Sequence, residues 1–271
     1  MYKEYHPSLL LSPYIDKYWE FKGNPDYGMR INILPDGCTD FIFTLGEVAN
    51  AVGDSLIMQP YRSYFVGAMT KYSELVTYAD TVHMLGIRFL PCGILRFMNL
   101  PLHELTNQRI STEDIESLFD HSFAERLCEL PSIQKRIIFI ESLLTKALCN
   151  CTSKAEQSIH FAIQQINLHK GNLSLHQLSH ETCLCQRHFE RKFKMHTGLT
   201  PKEYSRIMKF KNTIDLLRST SYDNLLSIAT QAGYYDVPHL SNEIKKMSGS
   251  TAKSFLASPS PEEGTLTYVK S

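Results

Sequence analysis

"CLCQRHFERKF", residues 183–193, supports two readings that lead to different proteins. Cys183, Cys185 and His188 lie close enough together to form part of a metal site. Arg187, Arg191, Lys192 and Lys194, with Phe189 and Phe193 among them, describe instead a helix that packs on one side and meets phosphate on the other. A structural zinc site takes four ligands, generally as two spaced pairs. No second Cys/His pair stands at a recognisable distance, and Cys149 and Cys151 lie over thirty residues away at a helix end. The two thiols therefore read as small, partly buried side chains, and neither a metal nor a cofactor is expected.

Bulk properties bound the rest. A chain of 271 residues with 43% hydrophobic and 11% aromatic side chains is long enough for two folded domains. No apolar run approaches the length of a membrane span, and the leucine run near the N-terminus is too short for a signal-peptide core. Seven cysteines, an odd number, point to free thiols in a reducing cytoplasm. The formal net charge of zero hides an asymmetry. Residues 1–152 carry 13 Lys and Arg against 18 Asp and Glu, whereas 153–258 carry 14 against 8. One basic and one acidic part suit a domain that faces a polyanion and another with a separate task.

The first hundred residues read as strands. In "RINILPDGCTDFIFTL", Ile31 and Ile33 alternate with polar neighbours, and Phe41, Phe43 and Leu45 share a face at period two. "LPDG" between them has tight-turn chemistry. "SYFVGAM", "ELVTYA" and "TVHMLGIRFL" continue the pattern, which predicts a small antiparallel barrel or sandwich. "GILRFMNLPLHEL" then reads as a short helix and a Pro-broken turn. "SIQKRIIFIESLLTKAL" carries Ile133, Ile137, Ile140, Leu144 and Leu148 on one helical stripe, with Ser132 placed to cap it. That stripe must bury against something, and a dimer partner is the expectation for the helix at 132–148. "NCTSK" marks the domain boundary, giving 1–152 as a sensor or dimerisation domain.

Everything from 153 to 258 reads as helical. Ile159, Ile163 and Ile166 lie on one face of a first helix that ends near Gly171. A short helix opened by Ser174 precedes the quoted stretch. "TPKEYSRIMKFKNTIDLLRST" is a longer helix with Thr200 at its N-cap and Pro201 at its first position. Another helix, a turn at Gly233 and a last helix follow, and the tail 259–271 is polar and expected to be flexible.

Two segments of this region repeat each other. "LHQLSHETCLCQRHFERKFKMHTG" (175–198) matches "LLSIATQAGYYDVPHLSNEIKKMSG" (225–249). Leu178 and Ser179 pair with Ile228 and Ala229, Phe189 and Phe193 with Leu240 and Ile244, and each unit ends in glycine, at Gly198 or Gly249. Two helix-turn-helix units joined by one long helix is a specific arrangement. With Leu175, His188, Arg191, Lys194, Pro201 and Tyr204, then Leu216, Leu217, Gly233, Tyr234 and Lys245, residues 155–257 resemble the DNA-binding domain of the AraC family of bacterial transcription regulators. "ILPDGCTDFIF", "YFVGAMT" and "GIRFLPCGILRFMNLPLHEL" resemble that family's sensor domains more loosely, as a cupin-like barrel followed by helices. The expected fold is thus α+β in two domains, an antiparallel β-barrel with helices and an all-α double helix-turn-helix domain.

The resemblance implies a cytoplasmic, sequence-specific DNA-binding regulator that is not an enzyme. Its partners would be operator DNA, a small-molecule effector, a second copy of itself and, in an activator, RNA polymerase, with no membrane. Side chains placed to meet DNA are Gln186, Arg187, Glu190, Arg191, Lys192 and Lys194 on the first recognition helix. Arg206 and Lys209 follow on the linker helix, and Val237, His239, Asn242, Lys245 and Lys246 on the second recognition helix. Arginine suits guanine because its fork matches the O6 and N7 acceptors. The plainer reading of any one of these residues is a solvated helix face. Departures from the family pattern also occur. Cys185 replaces a capping serine, Thr251-Ala252 replaces Thr-Pro, and Asn242, Val237 and Pro238 make the second helix the weaker base reader.

In the barrel, alternation nominates Tyr18, Trp19, Phe41, Phe43 and His83 as ligand-lining residues, against the simpler reading that they are core. Asp36 and Asp40 flank a turn and a strand start, where turn capping by Asp36 outweighs acid/base chemistry. An enzyme or repair protein that is metal-dependent or cysteine-based and borrows the same DNA-binding module is the alternative. Cys38, Cys92 and Cys128 are isolated in sequence from the basic or ligand partners it would need.

Overall fold

The computed structural model describes residues 2–24, 29–46, 51–53, 56–77, 81–115, 118–150, 157–219, 225–257 and 266–269. The strands are β1 (Tyr2–Tyr5), β2 (Ile15–Gly23), β3 (Met29–Ile33), β4 (Thr39–Thr44), β5 (Ala51–Gly53), β6 (Leu56–Met58), β7 (Ser63–Val66), β8 (Ser73–Thr77), β9 (Val82–Phe89), β10 (Arg109–Ser111) and β11 (Leu266–Val269). The helices are α1 (Phe123–Glu129), α2 (Ile133–Asn150), α3 (Gln157–Leu168), α4 (Leu175–Glu181), α5 (Gln186–Thr197), α6 (Pro201–Ser219), α7 (Leu225–Ala232), α8 (Val237–Ser248) and α9 (Ala252–Ala257). The two-domain α+β class expected from the sequence is the one observed.

The strands form two antiparallel sheets, ordered β1-β2-β9-β4-β7-β10 and β11-β3-β8-β5-β6. Each sheet keeps its edges, so the expected barrel is realised as two facing sheets that do not close. Trp19, Phe21, Ile42 and Met84 of the first sheet pack with Ile31, Met58 and Leu75 of the second. The "LPDG" turn explains the change of sheet between β3 and β4. Gly37 takes φ +80° and the Cys38 N–H donates to Asp36 Oδ1 at 3.0 Å, which redirects the chain without pairing the flanking strands as a hairpin. Within the tail, Leu266–Val269 pairs with β3; residues 258–265, 270 and 271 lie outside the described residues, as do 151–156 of the expected boundary.

The first sheet is buried on both faces. Its outer face carries Tyr18, Phe41, Phe43, Leu85 and Ile87, which pack against α1 and α2. Ser132 caps α2 as expected, accepting from the Lys135 N–H at 3.3 Å. The Ile133, Ile137, Ile140, Leu144 and Leu148 stripe belongs to this same cluster. The domain's own sheet therefore covers the face expected to meet a dimer partner, because the aromatic outer face of β4 needs the same cover.

The helical domain closes around Phe189, Phe193, Tyr204, Phe210, Leu217, Leu240 and Ile244, and Leu34, Ala68 and Cys92 from the sheet domain join this cluster. Polar contacts cross the same seam. Asn32 Nδ2 donates to the Ser248 carbonyl at 3.0 Å, and Thr106 Oγ1 donates to the Gly198 carbonyl. A Cβ at Gly37 would stand 2.5 Å from the Tyr204 ring, so glycine is required there by both space and φ. The two domains share one packed boundary.

Candidate nucleic-acid interface

The first helix-turn-helix unit is α4 and α5. Ser174 Oγ accepts from the Gln177 N–H at 3.3 Å and starts α4. The chain turns at Cys183, in the left-handed region at φ 56°, and Cys185 takes the N-cap of α5 without a side-chain hydrogen bond. Phe189 and Phe193 face the core with ring centroids 5.8 Å apart. Anchoring that side turns Gln186, Arg187, Glu190, Arg191 and Lys194 outward, all exposed, while His188 and Lys192 are half-buried. Gln186 Nε2 donates to Glu190 Oε1 at 3.0 Å, which leaves the guanidinium groups of Arg187 and Arg191 as the forked donors on this face. Gly198 closes the helix at φ 81°.

The linker helix α6 opens with a capping box. The Thr200 N–H donates to Glu203 Oε2 at 2.8 Å, and the Glu203 N–H donates to Thr200 Oγ1 at 3.2 Å. Its two nominated DNA contacts are engaged within the protein. Arg206 is bidentate on Glu243 of α8, with Nη2 at 3.0 Å from Oε2, and that bond holds the guanidinium above its ordinary range. Lys209 Nζ donates to the Gly233 carbonyl and lies 4.3 Å from the Tyr234 ring centroid. Burial pulls its ammonium down. Both cations brace the second unit, a role invisible in sequence because the partners are 37 and 24 residues away.

The second unit is α7 and α8. Gly233 turns the chain at φ 80°, and Asp236 caps α8 by accepting from the His239 N–H at 2.7 Å. Leu240 and Ile244 are buried. Pro238, His239, Asn242, Lys245 and Lys246 are exposed and Val237 is half-buried.

The nominated ligand-lining residues divide between two faces of one sheet. Tyr18, Phe41 and Phe43 are fully buried on the outer face. His83 lies on that face too, with Nε2 2.8 Å from Glu20 Oε1. Trp19 alone lines the cavity between the sheets, a space of about 60 Å³ walled also by Phe21, Ile31, Ile42, Leu75 and Met84. Gly86 makes room for the indole, since a Cβ there would overlap its ring.

One end of this cavity is charged. Arg88, Arg109, Asp40 and Ser73 line it. Trp19 Nε1 donates to Asp40 Oδ1 at 2.7 Å, and Arg88 Nε lies 3.3 Å from both Asp40 oxygens. Arg88 Nη1 reaches Asp36 Oδ2 at 3.0 Å. Burial pushes Asp40 above the usual carboxylate range, with Arg88 pulling against it. Burial also opposes the charge on Arg88, but Asp36 and Asp40 prevail and hold the guanidinium well above its ordinary value. Asp36 and Tyr204 both line a second, polar cavity of about 280 Å³ between the domains. Sequence reading missed Arg88 and Arg109. For Arg88 the available signal was opposite charge inside two apolar strands, "DFIF" and "GIRF".

Among the described residues, no group of three or more His, Cys, Asp or Glu side chains is placed to hold a metal. No helix of the described residues is long and apolar enough to cross a membrane.

Two exposed polar helix faces, each set over a buried core and carried on one long helix, define a bipartite helix-turn-helix DNA-binding domain. Residues 178–258 match the family of the helix-turn-helix domain HTH_18, and residues 3–111 match a domain of unknown function (DUF6597). The C-terminal part of the chain is thus a helix-turn-helix DNA-binding domain, of the kind that the resemblance to AraC-family regulators implies. The fold of the chain is similar to that of ToxT from Vibrio cholerae, at 10% identity and a TM-score of 0.50 over 89% of this chain and 98% of that one. ToxT from Vibrio cholerae O395 bound to (E)-4-(8-methylnaphthalen-1-yl)but-3-enoic acid matches at 11% identity and a TM-score of 0.50, over 89% and 98%. The C-terminal domain of AraT, a response regulator from Geobacillus stearothermophilus, matches at 20% identity and a TM-score of 0.36 over 39% and 88%. No curated protein matches the sequence.

Proposed function

We propose that this regulator responds to a small apolar compound bearing an acid group, bound between the two sheets, and that it is not an enzyme. The observation that carries the reading is Arg88, which lines the cavity and also pairs with Asp36 at the domain boundary. Arg88 and Arg109 stand with Asp40 and Ser73 at one end of a cavity whose other walls are apolar, an arrangement that suits an acidic head able to exchange for a carboxylate on Arg88 and an apolar body. The acid seen in ToxT is a compound of that kind. A ligand shifts an equilibrium only through unequal affinity for two states. An acid on Arg88 competes with Asp36 and so acts on the turn that meets Tyr204.

On DNA, α5 and α8 enter successive major-groove segments on one face, about 10 base pairs apart. Exposed lysines such as Lys194 and Lys246 contact phosphates and supply the salt-dependent part of affinity. The protein works in the cytoplasm as a homodimer through the solvent side of α2, where Ile138 is 66% exposed. It contacts RNA polymerase at promoters it activates.

Thermal-shift screening of the full chain against small organic acids, followed by DNA titration with each hit, tests the effector reading. A hit is expected to stabilise the protein and to change DNA affinity or half-site spacing. A compound that stabilises the chain yet leaves both unchanged would reduce the sheet domain to a dimerisation module.

A further inference from the structure

The second helix-turn-helix unit is not a copy of the first on the face that meets DNA. Aligned through Phe189 and Leu240, Phe193 and Ile244, and Gly198 and Gly249, the recognition helices place Pro238 where the first has Arg187. Asn242 stands in place of Arg191, and Val237 in place of Gln186. Both forked guanidinium groups are thus absent from α8. Arg206, the arginine that approaches α8 from α6, is closed on Glu243, and Glu243 itself occupies the position of Lys192.

The turns differ as well. The left-handed residue is Cys183 in the first unit and Gly233 in the second. In each unit the next N–H returns to the preceding helix, from Leu184 to the Ser179 carbonyl at 3.3 Å and from Tyr234 to the Ala229 carbonyl at 2.7 Å. The first unit then caps its recognition helix at once with Cys185. The second inserts one residue, Tyr235, before the Asp236 cap, and its side chain is 93% exposed.

We infer that the protein reads an asymmetric operator, with a guanine-containing segment under α5 and an A·T-rich segment under α8. The inference rests on both helices entering the major groove. Arginine forks match guanine O6 and N7, whereas an asparagine amide matches adenine N6 and N7, and apolar side chains meet the thymine methyl. Asn242 supplies the amide, Pro238 and Val237 the apolar contacts. Tyr235, at the mouth of α8, directs its hydroxyl to the flanking phosphate, a contact that positions without specifying.

Selection of bound duplexes from a random pool by the full chain tests this, run with the native protein, Asn242→Ala and Asn242→Arg. Asn242 is exposed and makes no core contact, so both variants are expected to fold, with circular dichroism and Tm as the check. The native motif is expected to hold guanine in one segment and adenine or thymine in the other. Asn242→Ala should lose about tenfold of preference for adenine at one position, and Asn242→Arg should convert that position to guanine. Guanine preference in both native segments, or a motif unchanged in both variants, overturns the inference and leaves DNA binding standing. A chain that selects no duplex overturns the groove reading and the inference together.

Discussion

Arg88 Nη1, at the cavity between the sheets, lies 3.0 Å from Oδ2 of Asp36, which lines the second cavity beside the helical domain. Both side chains are largely buried, and the second carboxylate on Arg88, Asp40, is buried with them. Removing one partner of a buried ion pair strands the rest, at a cost of about 3–5 kcal/mol. Arg88→Met is therefore expected to lower stability by about that amount in chemical denaturation. Adding Asp40→Asn to it should recover part of the loss, because one stranded carboxylate becomes neutral. Equal instability of the single and double variants would show that packing, not charge, is what Arg88 supplies.

On the DNA face, Arg187→Ala and Arg191→Ala are each expected to relax preference at one or two base positions in the segment under α5. Lys194→Ala should weaken binding to all sequences alike and shallow the salt slope by about one counterion. Lys192, half-buried, should show less of this than Lys194. Titrations of one specific and one scrambled duplex at several salt concentrations separate the two kinds of effect. An unaltered selected motif after loss of both arginines would place the wrong face of α5 in the groove.

The caps at Ser132, Ser174 and Thr200 and the inward pair Phe189 and Phe193 were legible because each rests on residues within one or two helical turns, and the repeat because both of its units carry the same local pattern. Strand alternation located the strands but not the cavity. Tyr18 and Trp19 are neighbours on β2, yet one packs under the helices and the other lines the space between the sheets. A sheet buried on both faces shows apolar residues at both parities, so period two does not say which side is hollow. The α2 stripe shows the complementary difficulty. Its periodicity states that a face is covered without stating by what. Arg206 and Lys209 had the charge of phosphate ligands, and their partners lie too far along the chain for local pattern to reveal.

The brace on α8 gives its own expectation. Arg206→Met and Glu243→Gln should each lower Tm modestly, and a double-mutant cycle should return a coupling of about 1 kcal/mol. If Arg206 served phosphate instead, Glu243→Gln would free it and tighten binding to every duplex. Loss of affinity confined to the α8 segment, with little change at the α5 segment, is the expected result.

His160 on α3 sets a pH dependence. Burial holds its imidazole below the ordinary 6.5, and the nearby His196 and Arg96 of the sheet domain push it the same way. A depressed folded value means that the unfolded chain binds the proton more readily. The stability from a neutral His160 is therefore fully present above pH 6.5 and is lost as pH falls through the lower folded value. Tm is expected to fall between pH 7.5 and 5.5, and His160→Gln should flatten that fall. An identical slope in the variant would assign the dependence to other groups.

Cys183 and Gly233 occupy the same turn position in the two units, with φ of 56° and 80°. A side chain in the left-handed region costs about 1–2 kcal/mol, offset by the greater freedom that glycine loses on folding. Cys183→Gly is thus expected to stabilise the protein by up to about 1 kcal/mol. The reverse change, Gly233→Ala, should destabilise it, since its Cβ would stand 2.6 Å from Asn172 Oδ1. Replacing Cys183 by glycine or by serine also tests the metal reading of residues 183–188. If Cys183 were a zinc ligand, its loss would release stoichiometric metal and unfold the turn, whichever residue replaced it. If it is only a strained turn residue, Cys183→Ser leaves folding and DNA binding intact, Cys183→Gly improves the first, and metal analysis of the native protein finds no zinc to lose. One zinc per chain that disappears with the glycine variant would restore the metal reading of "CLCQRH" and remove the backbone argument with it.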